Sequence, residues 1–304
     1  MYTTSHLLTN CTLCPRKCGV NRETGETGYC GMPKDLVVAR AALHMWEEPC
    51  ISGHVGSGTV FFSGCNLKCL FCQNHSIALG TCGKVISVQR LAEIFLELEK
   101  KGAANINLVT PTHYVPFIRD ALILAKSLGL NLPIVYNTGS YETVETLQLL
   151  EGLVDIYLPD LKYFSPQLSQ EYSLADDYFE VATAAIAEMY RQVGEVLFYE
   201  SDESMMKKGV LVRHLILPGQ TKDSKKILRY LYETYGHKIY ISIMNQYTPL
   251  PHVQHISALN RKIAAEEYDR IVNFAIRLGI KNAFIQEGET AKESFIPPFN
   301  LEGV

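Results

Sequence analysis

From residue 59 onward the apolar positions follow two alternating periods. Short runs in which most residues are apolar, TVFFSG (59 to 64), INLVT (106 to 110), PIVYNT (133 to 138), DIYLPDL (155 to 161), VLVRHLIL (210 to 217) and KIYISIMN (238 to 245), read as strands covered on both faces. The segments between them carry helical spacing. SVQRLAEIFLELEKKGA places Leu91, Ile94, Phe95 and Leu98 on one side behind a Ser87 cap. VPFIRDALILAKSLG and YETVETLQLLEG read the same way, as do stretches from about Asp177 to Val193, Ser224 to Tyr235 and Arg261 to Leu278. VLFYES (196 to 201) is ambiguous, an extra strand suited to pairing with 210 to 217.

Strands alternating with amphipathic helices predict a parallel sheet covered by helices. Six core strands are too few to close an eight-stranded barrel. The expected fold is therefore α/β, a partial (β/α)6 TIM-type barrel over residues 59–285, with a small Cys-rich metal-binding extension over 1–58 and a C-terminal tail over 286–304. A doubly wound sheet fits the same periodicity. In either architecture ligands bind beyond the carboxyl ends of the strands. The tail, with its paired prolines and apolar SFIPPFNL, suits docking over the open end of the wall better than a solvated terminus.

Residues 1 to about 58 are rich in Cys, Gly and Pro and show no long periodic segment. With 304 residues, 47% hydrophobic and 20% charged, the composition is that of a globular protein. A net charge of −4 gives no electrostatic reason to expect nucleic acid or an anionic membrane as partner. No apolar leader and no run of about 18 apolar residues occurs, so a cytoplasmic protein is expected.

The nine cysteines are grouped in a way that favours metal over disulfides. Cys11, Cys14, Cys18 and Cys30 form C-x2-C-x3-C-x11-C, four donors that close a second metal site for Zn or an Fe-S cluster. Cys65, Cys69 and Cys72 form C-x3-C-x2-C directly after the first core strand, with Phe71 beside the last thiol. Three thiolates on a cubane of four irons leave one iron without a protein ligand, and an open position marks a site for chemistry. Cys50 and Cys82 belong to neither set and read as buried small apolar residues.

GSGTVFFSGCNLKCLFCQN resembles the segment entering the first strand of the radical S-adenosylmethionine (radical SAM) enzymes related to pyruvate formate-lyase activating enzyme. YNTGSY is similar to their D-T-N-G stretch, YLPDLKY to their D-L-K, and VRHLILPG to their V-R…P-G. Within that group the chain looks most like the members carrying an N-terminal C-P-R-x-C segment. The resemblance implies a [4Fe-4S] cluster on Cys65, Cys69 and Cys72 and an S-adenosyl-L-methionine whose amino and carboxylate groups chelate the free iron. It implies an oxidoreductase that cleaves the sulfonium reductively, giving a 5′-deoxyadenosyl radical that removes a substrate hydrogen. An electron donor such as flavodoxin or ferredoxin is then expected, with a glycyl radical enzyme or a peptide as partner. A radical SAM enzyme acting on a small molecule is the alternative, and a non-catalytic Fe-S electron carrier or sensor a further one.

Carried over by position, Lys162 and Arg213 are expected to meet the cofactor's carboxylate or ribose, unless each pairs with a local acid. Asp160, Thr138 and Asn137 line the ribose side or a small cation site, where Asn137 stands in place of the family's Asp. The family's G-G-E is absent; TPTHY (110 to 114) takes its place, with Thr110 and Thr112 as helpers to backbone carbonyls that accept the ammonium hydrogens. His113 reads equally as a substrate contact or a structural histidine, and His44, His75 and His214 have no nameable partner.

Overall fold

The computed structural model describes residues 5–286 and 296–304. The N-terminal segment holds helix α1 (Ser5–Thr9) and strand β1 (Leu36–His44), then α2 (Pro49–Ser52), β2 (Ser57–Phe62), α3 (His75–Ala78) and β3 (Lys84–Ile86). The alternating part follows: α4 (Val88–Lys100), β4 (Ile106–Val109), α5 (Val115–Ser127), β5 (Ile134–Thr138), α6 (Val144–Gln148), β6 (Ile156–Pro159), α7 (Pro166–Ser173) and α8 (Tyr178–Val193). The chain then forms β7 (Leu197–Tyr199), β8 (Asp202–Leu215), α9 (Thr221–Tyr235), β9 (Tyr240–Met244), α10 (Ala265–Leu278) and β10 (Ala283–Ile285).

The strands form one sheet in the order β3-β1-β2-β4-β5-β6-β8-β9-β10. Pairing is parallel from β2 to β10 and antiparallel between β1 and its two neighbours. This order decides between the two architectures. A doubly wound sheet reverses its strand order at a switch point, whereas each parallel strand here lies beside the next in sequence, as in a barrel wall. Among the described residues β3 and β10 do not pair with each other, so the wall stays open. The fold is a partial barrel.

Alternate residues of each strand face opposite ways. Ile134 and Tyr136 of β5, Tyr157 of β6 and Val210 and Val212 of β8 join the large core that also contains Leu91, Ile94, Phe95 and Leu98 of α4. Ser87 caps that helix by accepting from the Arg90 backbone N–H at 3.0 Å. On the concave side Val135, Ile156, Leu158 and Leu211 close on Cys50 and Ile51 of α2, an apolar floor in which Cys50 is the buried small residue expected of it. Cys82 packs partly buried beside Ala39, Phe61, Ile77 and Val109.

Several elements differ from the sequence-based expectation. β1 is a nine-residue strand in a region with no evident period: its Arg40 and small alanines interrupt the apolar run, and a bulge breaks its register against β2. β10 adds a seventh parallel strand only three residues long, too short to carry a period. β7 does pair with β8, at Asp202, Met206 and Lys208, before the stretch 210 to 217. Helix α7, capped by Ser165, was not anticipated. Of the tail, residues 287–295 lie outside the described residues. Its end docks along β1: Leu301 N donates to Ala39 O at 3.2 Å, Ala41 N to Glu302 O at 2.8 Å, and the Phe299 ring meets Phe61 edge-on. Among the described residues no helix is long and apolar enough to cross a membrane.

Candidate cofactor site

The carboxyl ends of the parallel strands open into one cleft. It is lined by Cys65, Cys69 and Cys72 and by Thr110, Thr112, Asn137, Thr138, Asp160, Lys162 and Arg213, so every non-thiol position expected from the sequence borders the same space as the three thiols. Strand β2 delivers the thiol loop. Its backbone is pinned by Gly64 N to Ile77 O at 2.7 Å, Leu70 N to Tyr172 O at 2.9 Å and Cys72 N to Cys69 O at 3.0 Å. Phe71 is walled edge-on by Tyr163, Tyr172 and Tyr247, which keeps water from one side of the loop.

The charged residues form one network. Asp160 accepts from Lys162 Nζ at 2.6 Å on one oxygen and from Arg213 Nε at 2.8 Å on the other. Arg213 continues with Nη2 to Asn137 Oδ1 at 2.7 Å and Nη1 to Glu47 Oε2 at 3.2 Å. Lys162 and Arg213 thus carry local acid partners, the alternative reading of both. Burial disfavours charge at Asp160, yet Arg213 and Lys162 outweigh it and hold the carboxyl below its ordinary range. The same pairing outweighs burial to keep Lys162 protonated. The guanidinium lies between Asn137 Oδ1 and Asp160 Oδ1, the place a small cation bridging those residues would take.

Glu47 and Glu48 were not picked out from the sequence. In WEEP they read as solvated charges, but β1 returns them under the sheet. Glu47 Oε1 accepts from Asn107 Nδ2 at 2.9 Å and Asn137 Nδ2 at 3.3 Å, so one carboxylate gathers side chains from β4, β5 and β8. Glu48 is pushed up to about 7 by burial, against the pull of Arg213 and the Ser242 hydroxyl at 3.0 Å.

Glu142 was missed in the same way. It is fully buried, and its Oε1 accepts from Thr112 Oγ1 at 2.6 Å, from Thr138 Oγ1 and from Tyr136 OH at 3.3 Å. The two threonine hydroxyls therefore point at an acid behind the cleft wall and hold the loops after β4 and β5 together. Burial pushes Glu142 up to about 7 despite these three donors. Thr110, whose N–H donates to Asn137 O at 3.0 Å, sits at φ +58°, a left-handed conformation that suits glycine and strains a β-branched residue. The backbone turn is kept here without the glycine.

Residues 59–231 match the radical SAM superfamily. The chain belongs to that superfamily. An uncharacterized protein of Methanocaldococcus jannaschii is 29% identical over 280 residues, which cover 89% of this chain and 75% of the relative. Among solved structures, a domain of pyruvate-formate lyase-activating enzyme from Bacteroides vulgatus aligns with a TM-score of 0.40 at 17% identity, covering 57% of this chain and 92% of that one. Methylornithine synthase aligns with a TM-score of 0.44 at 16% identity, covering 89% and 74%.

Radical SAM membership implies a [4Fe-4S] cluster and S-adenosylmethionine, and the donor set fits the cluster. The three thiols come from one loop and share the cleft. Burial and then mutual repulsion push Cys65 and Cys72 up, and Lys162 pulls both back. Among the described residues no three Cys, His, Asp or Glu side chains gather tightly enough to hold a single ion. A cluster makes no such demand, because each thiolate binds a different iron.

Cys14 lies within electrostatic reach of Cys11, Cys18 and Cys30. Cys14 is pushed up to about 12 by burial, then by Cys30, Cys11 and Cys18, with the Arg16 backbone N–H opposing. Their loops close through Cys11 N to Val20 O, Gly19 N to Cys11 O and Lys17 N to Cys14 O, each at 3.0 Å.

The histidines singled out from the sequence each meet a neighbour, and His44 also lines the cleft. His113 Nε2 meets Ser63 O at 2.7 Å, and burial lowers its pKa to about 3, so it is neutral. His214 Nδ1 meets Leu161 O at 2.8 Å, His44 packs edge-on against Phe61, and His75 stacks on His252 at 4.1 Å.

Proposed function

We propose that this radical SAM enzyme cleaves S-adenosylmethionine reductively in the cleft and delivers the radical to a glycyl radical enzyme, in the manner of the pyruvate formate-lyase activating enzymes its motifs resemble. The observation that carries the cleavage step is the sharing of one cleft by Cys65, Cys69 and Cys72 with the Asp160–Lys162–Arg213 network. When bound, the cluster supplies the electron that breaks the sulfonium bond. The protein's part is to bind and orient. Lys162 and Arg213 present cations to the cofactor's carboxylate, Asp160 fixes both, and the Thr110 turn offers backbone carbonyls to its ammonium group. The aromatic wall around Phe71 excludes water from one side of the thiol loop.

The electron comes from a reductant protein of the flavodoxin or ferredoxin class, in the cytoplasm. The N-terminal thiols, whose spacing suits an Fe-S cluster or Zn, hold an Fe-S cluster on this reading, since among the described residues no three of them gather tightly enough for a single ion. The alternative is a small molecule or another peptide as substrate, and one observation favours the small molecule: Pro297 of the chain's own tail lines the cleft, taking space a protein loop would use.

The test is to reduce the reconstituted protein with dithionite, add S-adenosylmethionine and quantify 5′-deoxyadenosine. Formation well above a Cys69→Ala control is expected. Equal amounts would leave a non-catalytic Fe-S protein as the better reading. A protein-based EPR doublet on a candidate partner then separates glycyl radical installation from small-molecule chemistry.

A further inference from the structure

Two side chains join the four-thiol loop to the three-thiol loop, Arg16 and Tyr29, and Arg16 makes the more extensive contact. Arg16 stands between Cys14 and Cys18 in sequence, and its guanidinium leaves its own loop entirely. Nε donates to Asn66 O at 2.9 Å, one residue beyond Cys65, while Nη2 donates to Ser173 O at 2.8 Å and Nη1 to Leu174 O. The group lies over the Tyr29 ring at 3.9 Å and near the Tyr141 ring at 5.1 Å.

Each partner leads back to the three-thiol loop. Asn66 Nδ2 donates to Tyr141 O at 2.5 Å, and Tyr29 OH donates to Leu67 O at 3.3 Å. Ser173 and Leu174 end helix α7, whose Tyr172 O receives Leu70 N and whose Tyr172 ring packs on Phe71. A cation at a helix C-terminus is favourable, and a planar fork holds several carbonyls at once where an ammonium would not. Arg16 therefore fixes the loop carrying Cys65, Cys69 and Cys72 at two points, Asn66 directly and Leu70 through the end of α7.

We propose that Arg16 is a positioning residue through which ligation of Cys14 and Cys18 holds the three-thiol loop in its cluster-binding shape, so that loading of the N-terminal metal site strengthens retention of the cluster in the cleft. The proposal rests on the reading of both thiol sets as metal sites. Ligation of the two flanking cysteines fixes the Arg16 backbone, and the side chain carries that constraint to Asn66.

The test follows chelator-driven iron loss and the EPR line shape of the reduced cluster in the full chain. Each form is read as the difference from the same form carrying Cys69→Ala, which isolates the three-thiol site. Arg16→Gln and Cys14→Ser/Cys18→Ser are both expected to release that iron at least about tenfold faster, the range seen when a residue supporting a metal ligand is lost. Arg16→Gln is also expected to shift the line shape while the far-UV circular dichroism of the fold is kept. Arg16→Lys, which restores charge without the fork, is expected to recover little. Tyr29→Phe, which removes only the hydroxyl bond to Leu67, is expected to move the rate in the same direction by less.

Unchanged release and line shape in Arg16→Gln would overturn the proposal, as would full recovery in Arg16→Lys. Unchanged release in Cys14→Ser/Cys18→Ser would overturn the coupling to the N-terminal site; if that variant does not fold, Cys18→Ser alone, whose thiol is exposed, is read in its place. A wild type that holds the cluster but forms no 5′-deoxyadenosine would overturn the proposed function, and the Arg16 comparison would still be read from iron retention.

Discussion

Ile134 and Tyr136 turn from β5 toward the helices, while Val135 and Asn137, one position along, turn to the concave side. The first pair is held by area and shape in a continuous apolar core. On the concave side only the floor is apolar. Above it, Asn107, Asn137, Asp160, Arg213 and Ser242 are held by hydrogen bonds to one another and to Glu47 and Glu48. The same strand thus serves two kinds of order: packing is insensitive to pH, and the polar face depends on which carboxylates are ionised.

The largest expected effect separates chemistry from folding. Cys69→Ala should abolish 5′-deoxyadenosine formation, with metal-free unfolding in urea changed by no more than about 1 kcal/mol, since a single buried sulfur atom is lost from the edge of the core. Next, Phe95→Ala on the helix side should cost about 3–5 kcal/mol, the range for emptying a buried aromatic site. Arg213→Met should cost about 3 kcal/mol, the low end for breaking a buried pair, because Asp160 keeps Lys162 while Glu47 loses its ion pair. The two differ in pH dependence. Asp160 is depressed in the folded protein, so its pairing stabilises above the unfolded value near about 3.9 and is lost as pH falls through the lower folded value. The Arg213→Met penalty should therefore shrink in acid, and the Phe95→Ala penalty should not. Equal shrinkage in urea titrations at two pH values would break the distinction between the faces.

Glu142 titrates in the opposite sense. Its folded pKa of about 7 lies above the unfolded value near about 4.3, so the wild type loses stability as pH rises between them. Glu142→Gln carries no such slope. Its stability relative to wild type should rise from pH 5 to pH 8 and level off above, read by denaturant unfolding; Glu48 is common to both proteins and cancels. The smallest effect is expected from Thr110→Gly, a gain of about 1 kcal/mol as left-handed strain is relieved. A loss would mean that the threonine side chain, and not the turn alone, is needed at the cleft.

Much of this was legible in the sequence because it is local. Ser87 with Leu91, Ile94, Phe95 and Leu98 is a short pattern and appears as a capped helix, and the three-thiol spacing and the D-L-K at Asp160 and Lys162 are short patterns whose residues line one cleft. What escaped depends on distant partners. Glu47 reads as a surface acid until Asn107, Asn137 and Arg213, between 60 and 166 residues away, are brought to it. Glu142 escaped because nothing in SYETVE announces burial. The strand at Leu36–His44 escaped because its mixed composition makes sense only against β2 on one side and the tail on the other.

Glu47 also has a consequence for how the wall is assembled. Slipping one strand by a single residue turns every side chain on it to the other face. A slip of β4 or β5 would send Asn107 or Asn137 into the helix-packed core without a partner, and a slip of β8 would do the same to Arg213. Because all three must reach one carboxylate, an error in any of them leaves a buried polar group unsatisfied, at about 1–3 kcal/mol or more if charged. The extension outside the barrel thus proofreads the register of three strands within it.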